Sequence, residues 1–167
     1  MMKKAILSLS GGLDSTCLLF DALSKEYEVR CYSFNYGQKH IIELEKVKKN
    51  IDLLKKNNFP VSHQIIDLRD CFSDSTSSLH SNVKINVPEG HYKEESMKST
   101  VIENRNIIFA AILYGKALSW AKKSNDLVEI QLGIHAGDHS IYPDTTVESR
   151  LAAELCFKIS NWDSEKV

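Results

Sequence analysis

Near its start the chain carries Ser8-Leu9-Ser10-Gly11-Gly12-Leu13-Asp14-Ser15-Thr16, a run whose residue types suit the binding of an anion. Two adjacent glycines let a backbone approach a ligand closely. Ser10, Ser15 and Thr16 add hydroxyl donors, and a helix starting here would aim its unpaired N–H groups and partial positive charge at the same point. A Walker-type loop needs a lysine after its second glycine, and none follows Gly12. The group that holds the β and γ phosphates in kinases and GTPases is therefore missing. The plainer alternative is a Gly-Gly turn capped by Asp14 or Ser15.

Several elements must position this loop. Residues 5–9 form a short apolar run that breaks at Ser10, and Leu18, Leu19, Ala22 and Leu23 then recur at helical spacing, which predicts strand, tight turn and helix. Further strands are expected over 28–34, 61–68 and 127–134. Long helices are expected over 39–57, with the stripe Leu44, Val47, Ile51 and Leu54, and over 104–123, with Ile108, Ala111, Ile112, Gly115 and Leu118 facing a sheet. Val147, Leu151 and Leu155 mark a last helix. Strand alternating with helix predicts an α/β fold, a doubly wound and mostly parallel sheet that binds ligands beyond the C-terminal strand ends. Residues 70–100 are polar and too long for an ordinary connection, which makes them an active-site lid or a partly mobile insertion within one 167-residue domain. The composition fits such a domain, with 43% hydrophobic and 26% charged residues. Twenty-one basic against 22 acidic residues leave a net charge of −1, so no global positive field favours nucleic acid or an anionic membrane. No apolar run approaches the ~20 residues that span a bilayer, and the stretch after Lys3 and Lys4 ends too soon for a signal peptide, which points to the cytoplasm.

Ser-Gly-Gly-Leu-Asp-Ser after a first strand resembles the pyrophosphate loop (PP-loop) of the N-type ATP pyrophosphatases, whose fold is adenine nucleotide alpha hydrolase-like (HUP). Three more blocks narrow the resemblance. They are Tyr36-Gly37-Gln38-Lys39-His40 with Glu43-Leu44-Glu45; the run from Glu89-Gly90-His91-Tyr92 through Thr100-Val101 into Asn104-Arg105-Asn106; and Gly133-Ile134-His135-Ala136-Gly137-Asp138-His139-Ser140-Ile141-Tyr142-Pro143-Asp144. Together they resemble the 7-cyano-7-deazaguanine synthase (ExsB/QueC) family from Lys4 to about Glu148. The resemblance implies an ATP-dependent carbon–nitrogen ligase of queuosine biosynthesis. Such an enzyme adenylates 7-carboxy-7-deazaguanine, admits ammonia, then activates and dehydrates the amide to the nitrile, releasing AMP and pyrophosphate. Competing expectations are another ATP pyrophosphatase, such as a tRNA-modifying enzyme, and a non-catalytic or partner-dependent nucleotide-binding module.

Each block has a physical job that fits this picture. Residues Ser8 to Thr16 with Tyr36 and Gln38 are expected to bind ATP, and Asp14, Arg105, His135, Asp138 and His139 to carry the chemistry. Asp14 and Asp138 are the candidates to hold Mg²⁺ on ATP phosphates, helix capping being the competing role for Asp14. Arg105 offers a planar cationic fork for phosphate or carboxylate, unless it is a solvated surface arginine. His135 and His139 suit acid–base work or substrate hydrogen bonding, or are plain loop histidines. Tyr36 and Tyr142 suit stacking on a purine, or packing. His91 and Tyr92 act only if their segment closes over the site.

The sequence also departs from the family. Thr145, Thr146 and Val147 stand where Cys-Arg-Pro usually follows Tyr-Pro-Asp, and Glu103 stands where proline precedes Asn-Arg-Asn. The family's C-terminal strand, helix and zinc-binding cysteines are absent, and Cys17, Cys31, Cys71 and Cys156 form no C-x-x-C pair, so no zinc is expected here. A chain truncated in this way is expected to form a homodimer or to recruit a partner that supplies the missing surface.

Overall fold

The strand-forming and helix-forming runs alternate in the computed structural model, which describes residues 2–84, 95–134 and 142–167. In chain order they are β1 (Lys3–Ser8), α1 (Leu13–Ser24), β2 (Tyr27–Asn35), α2 (Ile42–Lys56), β3 (Val61–Asp67), α3 (Arg105–Ser124), β4 (Val128–Gln131) and α4 (Val147–Ile159). The four strands form one parallel sheet in the order β3-β2-β1-β4. The chain builds outward from β1 to β3 and then returns to the other side of β1, so the topological switch point lies between β1 and β4.

Side-chain alternation along the strands divides the core in two. Leu7, Leu9, Val29, Cys31 and Val61 pack against Leu19, Ala22 and Leu23 of α1 and Val47, Ile51 and Leu54 of α2. Ile6, Tyr32, Phe34 and Val128 pack on the opposite face against Leu113, Ala117, Trp120 and Ala121 of α3. Helices on both faces make the sheet doubly wound, as strands buried on both sides require.

Three local expectations change. The face of α3 turned to the sheet is centred on Leu113, Ala117, Trp120 and Ala121, with Ile108 and Ile112 at its margin and Ala111 and Gly115 exposed. The large rings decide this rotation: Phe109 stacks on Phe34 at 4.0 Å, and Trp120 buries far more area than Ala111 or Gly115 could. The second helix starts at Ile42 rather than at residue 39, because Gln38 pairs with His80 in an antiparallel bridge and the Lys39 N–H donates to the Leu79 carbonyl. The fourth strand pairs only as far as Gln131, since β1 turns into its loop one residue after the Leu7–Gln131 pair.

Within the expected insertion, residues 70–84 and 95–100 are described. Ser77, Ser78, His80 and Thr100 are buried, and the Ser78 N–H donates to the Ser99 carbonyl, tying the two described parts together. His91 and Tyr92 lie outside the described residues.

Cys31 is buried at the centre of the sheet, and desolvation pushes its thiol up to about 12. Cys17, Cys71 and Cys156 are exposed. A thiolate-directed reagent at pH 8 is therefore expected to label those three and to spare Cys31 until the protein is unfolded, which intact-mass measurement reads directly. Labelling of Cys31 at a comparable rate would contradict the packing of α1 and α2 over β2.

Candidate functional site

At the C-terminal end of β1 the Leu9 N–H makes a last ladder bond to the Tyr32 carbonyl, at 2.8 Å, before the chain leaves the sheet. Gly11 takes φ +93°, a backbone conformation that side chains disfavour. A Cβ there would also sit 2.9 Å from Val47 Cγ2 and 3.1 Å from the Glu43 carbonyl, so the loop lies directly against the first turns of α2. Hydroxyls tie the turn together. Ser10 Oγ accepts from the Gly12 N–H at 3.2 Å and lies 3.0 Å from Ser15 Oγ, while Thr16 Oγ1 donates to the Gly12 carbonyl at 2.8 Å.

Gly12 is the N-cap of α1 and supplies no side-chain cap. The first intrahelical bond is Thr16 N–H to the Gly12 carbonyl, which leaves the N–H groups of Leu13, Asp14 and Ser15 without intrahelical partners. Asp14 sits inside the first turn, so it is not the capping residue, and its negative charge is close to the positive end of the helix. Leu9 is buried in the core and Leu13 is exposed, so these two shape the loop rather than line it.

The opposite wall comes from β4 and α3. Gly133 follows β4 so closely against α1 that a Cβ on it would stand 3.2 Å from the Ser15 nitrogen. Arg105 opens α3, its guanidinium 5.6 Å from the centre of the Tyr36 ring. Ser8, Ser10, Ser15, Tyr36, Arg105 and Gly133 line one cavity of about 200 Å³ at the switch point. Asp14 lines a neighbouring cavity, which it shares with Cys17 and Gly133. The hydroxyls of Ser8, Ser10 and Ser15 and the Arg105 side chain line this small space, with Ser15 bringing the first turn of α1 to its edge, a donor set that suits an oligophosphate.

Gln38, Tyr36 and Tyr142 each have partners of their own. Gln38 uses its amide on the turn after β2: Oε1 accepts from the Tyr36 N–H at 3.0 Å and Nε2 donates to the Phe34 carbonyl at 3.1 Å. Tyr36 packs edge-on against Phe72 and tilted against Phe109 while also lining the cavity. The hydroxyl of Tyr142 is hydrogen-bonded to that of Thr100. His135, Asp138 and His139 lie outside the described residues. Among the described residues no group of three or more His, Cys, Asp or Glu side chains is placed to hold a metal ion.

The spacing of residues did not single out two further contributors. Asp144 Oδ2 accepts from the Asn106 N–H at 3.1 Å and so satisfies an unpaired donor in the first turn of α3, beside Arg105. Asn106 lines both the small cavity and a larger one of about 450 Å³ between α3, β4 and α4, which is mostly apolar and is also lined by Asp144, Thr145 and Thr146. The larger cavity lies away from the phosphate loop, yet the two share Asn106, Leu132 and Ile134 and so adjoin.

The model of the family described as queuosine biosynthesis protein QueC matches residues 4–165. The chain is 43% identical over 145 residues to a 7-cyano-7-deazaguanine synthase of Caldicellulosiruptor saccharolyticus, covering 87% of this chain and 60% of the relative. A synthase of the same name from Caldicellulosiruptor bescii is 42% identical, with 87% and 61% covered, and one from Methanoregula boonei is 37% identical, with 96% and 69% covered. The chain thus spans about three fifths of the length of the first two of these relatives.

Proposed function

The chain belongs to the QueC family, and from that premise we propose that it binds ATP by its pyrophosphate at the β1–α1 loop and serves the conversion of 7-carboxy-7-deazaguanine and ammonia to 7-cyano-7-deazaguanine. The observation that carries this reading is the convergence of Ser10, Ser15 in the first turn of α1, and Arg105 on one cavity at the switch point.

In this reading a substrate carboxylate oxygen attacks the α phosphorus, the bond from that phosphorus to the bridging oxygen breaks, and pyrophosphate leaves with the electron pair. The loop's role is to hold that leaving group. N–H groups of the first turn of α1 and the hydroxyls of Ser10 and Ser15 bind its oxygens, and Arg105 stabilises the charge that develops as the bond breaks. Ammonia then displaces AMP to give the amide. A second adenylation on the amide oxygen, followed by loss of AMP and two protons, gives the nitrile. Mg²⁺ would neutralise phosphate charge when bound, and Asp14 and Asp138 are its candidate ligands from this chain. The larger adjoining cavity offers room for the planar acid or the adenosine.

Release of AMP and pyrophosphate from Mg-ATP, 7-carboxy-7-deazaguanine and ammonia, with formation of the nitrile, is the direct test, and absence of both turnover and nucleotide binding would overturn the reading. Binding itself is read from thermal unfolding. Mg-ATP at 100 times its Kd is expected to add about 2.7 kcal/mol to apparent stability, and Ser10→Ala or Asp14→Ala to reduce that increment. An unchanged melting temperature across a saturating titration would remove the nucleotide site.

A second reading, nucleotide binding that needs a second copy or another partner for turnover, is favoured by α4. Val147, Leu151, Leu155 and Ile159 repeat every fourth residue along one side of this helix, and all are more than half exposed, with Trp162 beyond them at 88%. Such a stripe suits association with a second copy or another protein. Light scattering at micromolar concentration is expected to show a dimer or larger species, and a monodisperse monomer would set this reading aside.

A further inference from the structure

A line of hydrogen bonds crosses the sheet from β3 to the first peptide of the phosphate loop. Ser33, on β2 and 1% exposed, has its Oγ 2.8 Å from His63 Nε2 on β3 and donates to the carbonyl of Leu9. We propose that Ser33 and His63 are positioning residues of the anion cradle, locking the Leu9–Ser10 peptide so that the Ser10 N–H faces the cavity. This rests on the reading of that cavity as a phosphate site and adds residues from the far side of the sheet.

The direction of each bond follows from valence. A carbonyl oxygen only accepts, so the single proton of Ser33 Oγ goes to Leu9, and Oγ must then accept from His63. That requires a proton on Nε2. The ring is half-buried, and desolvation lowers its pKa, with Lys55 and Lys48 acting in the same direction and Asp52 opposing. At neutral pH the ring is therefore neutral, and its contact with Ser33 selects the Nε2–H tautomer.

The consequence for the loop follows from peptide planarity. No described peptide bond is cis, so the Leu9 carbonyl and the Ser10 N–H point in opposite directions. β2 and β4 flank β1 on opposite sides. A Leu9 carbonyl fixed toward β2 thus turns the Ser10 N–H toward β4, the side on which Ser8, Ser10, Ser15, Leu132 and Gly133 line the cavity. Gly11 and Gly12 come next and impose little backbone preference of their own. A flipped peptide would aim a carbonyl at an anion, so an anchor on Leu9 protects the binding-competent loop.

The test uses the full chain with Ser33→Ala, Ser33→Thr, His63→Leu and His63→Gln. Affinities for Mg-ATP and for pyrophosphate are measured by calorimetry, with ligand-free melting temperatures and ring ¹⁵N shifts of His63 alongside. Ser33→Ala and His63→Leu are expected to bind about 3- to 10-fold more weakly, while Ser33→Thr and His63→Gln, which keep the donors, stay within about twofold of wild type. The His63 ring is expected to carry its proton on Nε2. Should Ser33→Ala fail to fold, the half-buried His63 pair decides the binding result. Wild type that binds neither ligand overturns the phosphate-site reading and this inference with it. Wild type that binds while folded Ser33→Ala or His63→Leu matches it, or a ring protonated on Nδ1, overturns this inference alone.

Discussion

Gly11→Ala is expected to lower folding stability by about 2–4 kcal/mol and to weaken nucleotide binding in whatever protein remains folded. Two costs add. An alanine held at φ +93° meets the left-handed penalty of about 1–2 kcal/mol, and its Cβ would stand 2.9 Å from Val47 Cγ2 and 3.1 Å from the Glu43 carbonyl. The Glu43 contact is with backbone, which cannot rotate away. Relief would require the loop to lift from α2, and since Leu9 is fixed to β2 on one side and Gly12 begins α1 on the other, the shift would spread into the donors of the cradle. The smaller entropy of an unfolded alanine returns only about 0.4–1 kcal/mol. For a chain of this size the net loss corresponds to a melting temperature lower by roughly 5–15 °C. A variant that melts with wild type and binds Mg-ATP with wild-type affinity would mean that the loop does not lie on α2.

Local sequence carried the elements whose cause is local. The Ser10-Gly11-Gly12 break after an apolar run predicts the β1–α1 turn because few other residues take that conformation, and the stripe Leu44, Val47, Ile51 and Leu54 predicts the buried face of α2, all four being buried as expected. What the sequence did not reveal depends on partners far away in the chain. The rotation of α3 is set by Phe109 meeting Phe34 across 74 intervening positions, which no periodicity within the helix records. Gln38 lies in a block that resembles the family, yet its amide closes the turn on Phe34 and Tyr36, a role visible only once β2 ends where it does. Ser33 and His63 are ordinary strand residues until parallel pairing sets Cys31 opposite His63 and brings the ring to the serine two residue pairs along. On the far wall of the cradle Arg105 was expected from its motif, whereas the close approach of Gly133 to α1 was hidden for the same reason, since β4 meets β1 only through the return crossover.

Gly133 belongs to that far wall, and Gly133→Ala is expected to separate ligand binding from stability. Its φ is not in the left-handed region, so the backbone conformation itself costs alanine little, and although the new Cβ must push the backbone of the first turn of α1 aside by a few tenths of an ångström, the ligand-free melting temperature is expected to fall by less than it does for Gly11→Ala. The new Cβ, however, would stand 3.2 Å from the Ser15 nitrogen, near the distance at which a phosphate oxygen would accept from that N–H. The Ser15 N–H is one of the first-turn groups that the helix itself leaves without a partner. Covering it removes one hydrogen bond to a charged acceptor, a loss of about 1.5–3 kcal/mol, or about 10- to 100-fold in affinity for Mg-ATP or pyrophosphate. Ser15→Ala, which removes the hydroxyl but keeps the N–H, is expected to lose less. Calorimetry on both variants decides which donor the anion uses. Wild-type affinity in a folded Gly133→Ala protein would show that the ligand does not reach the first turn of α1, and the leaving group would then have to be held by the Ser10 side of the loop and Arg105 instead.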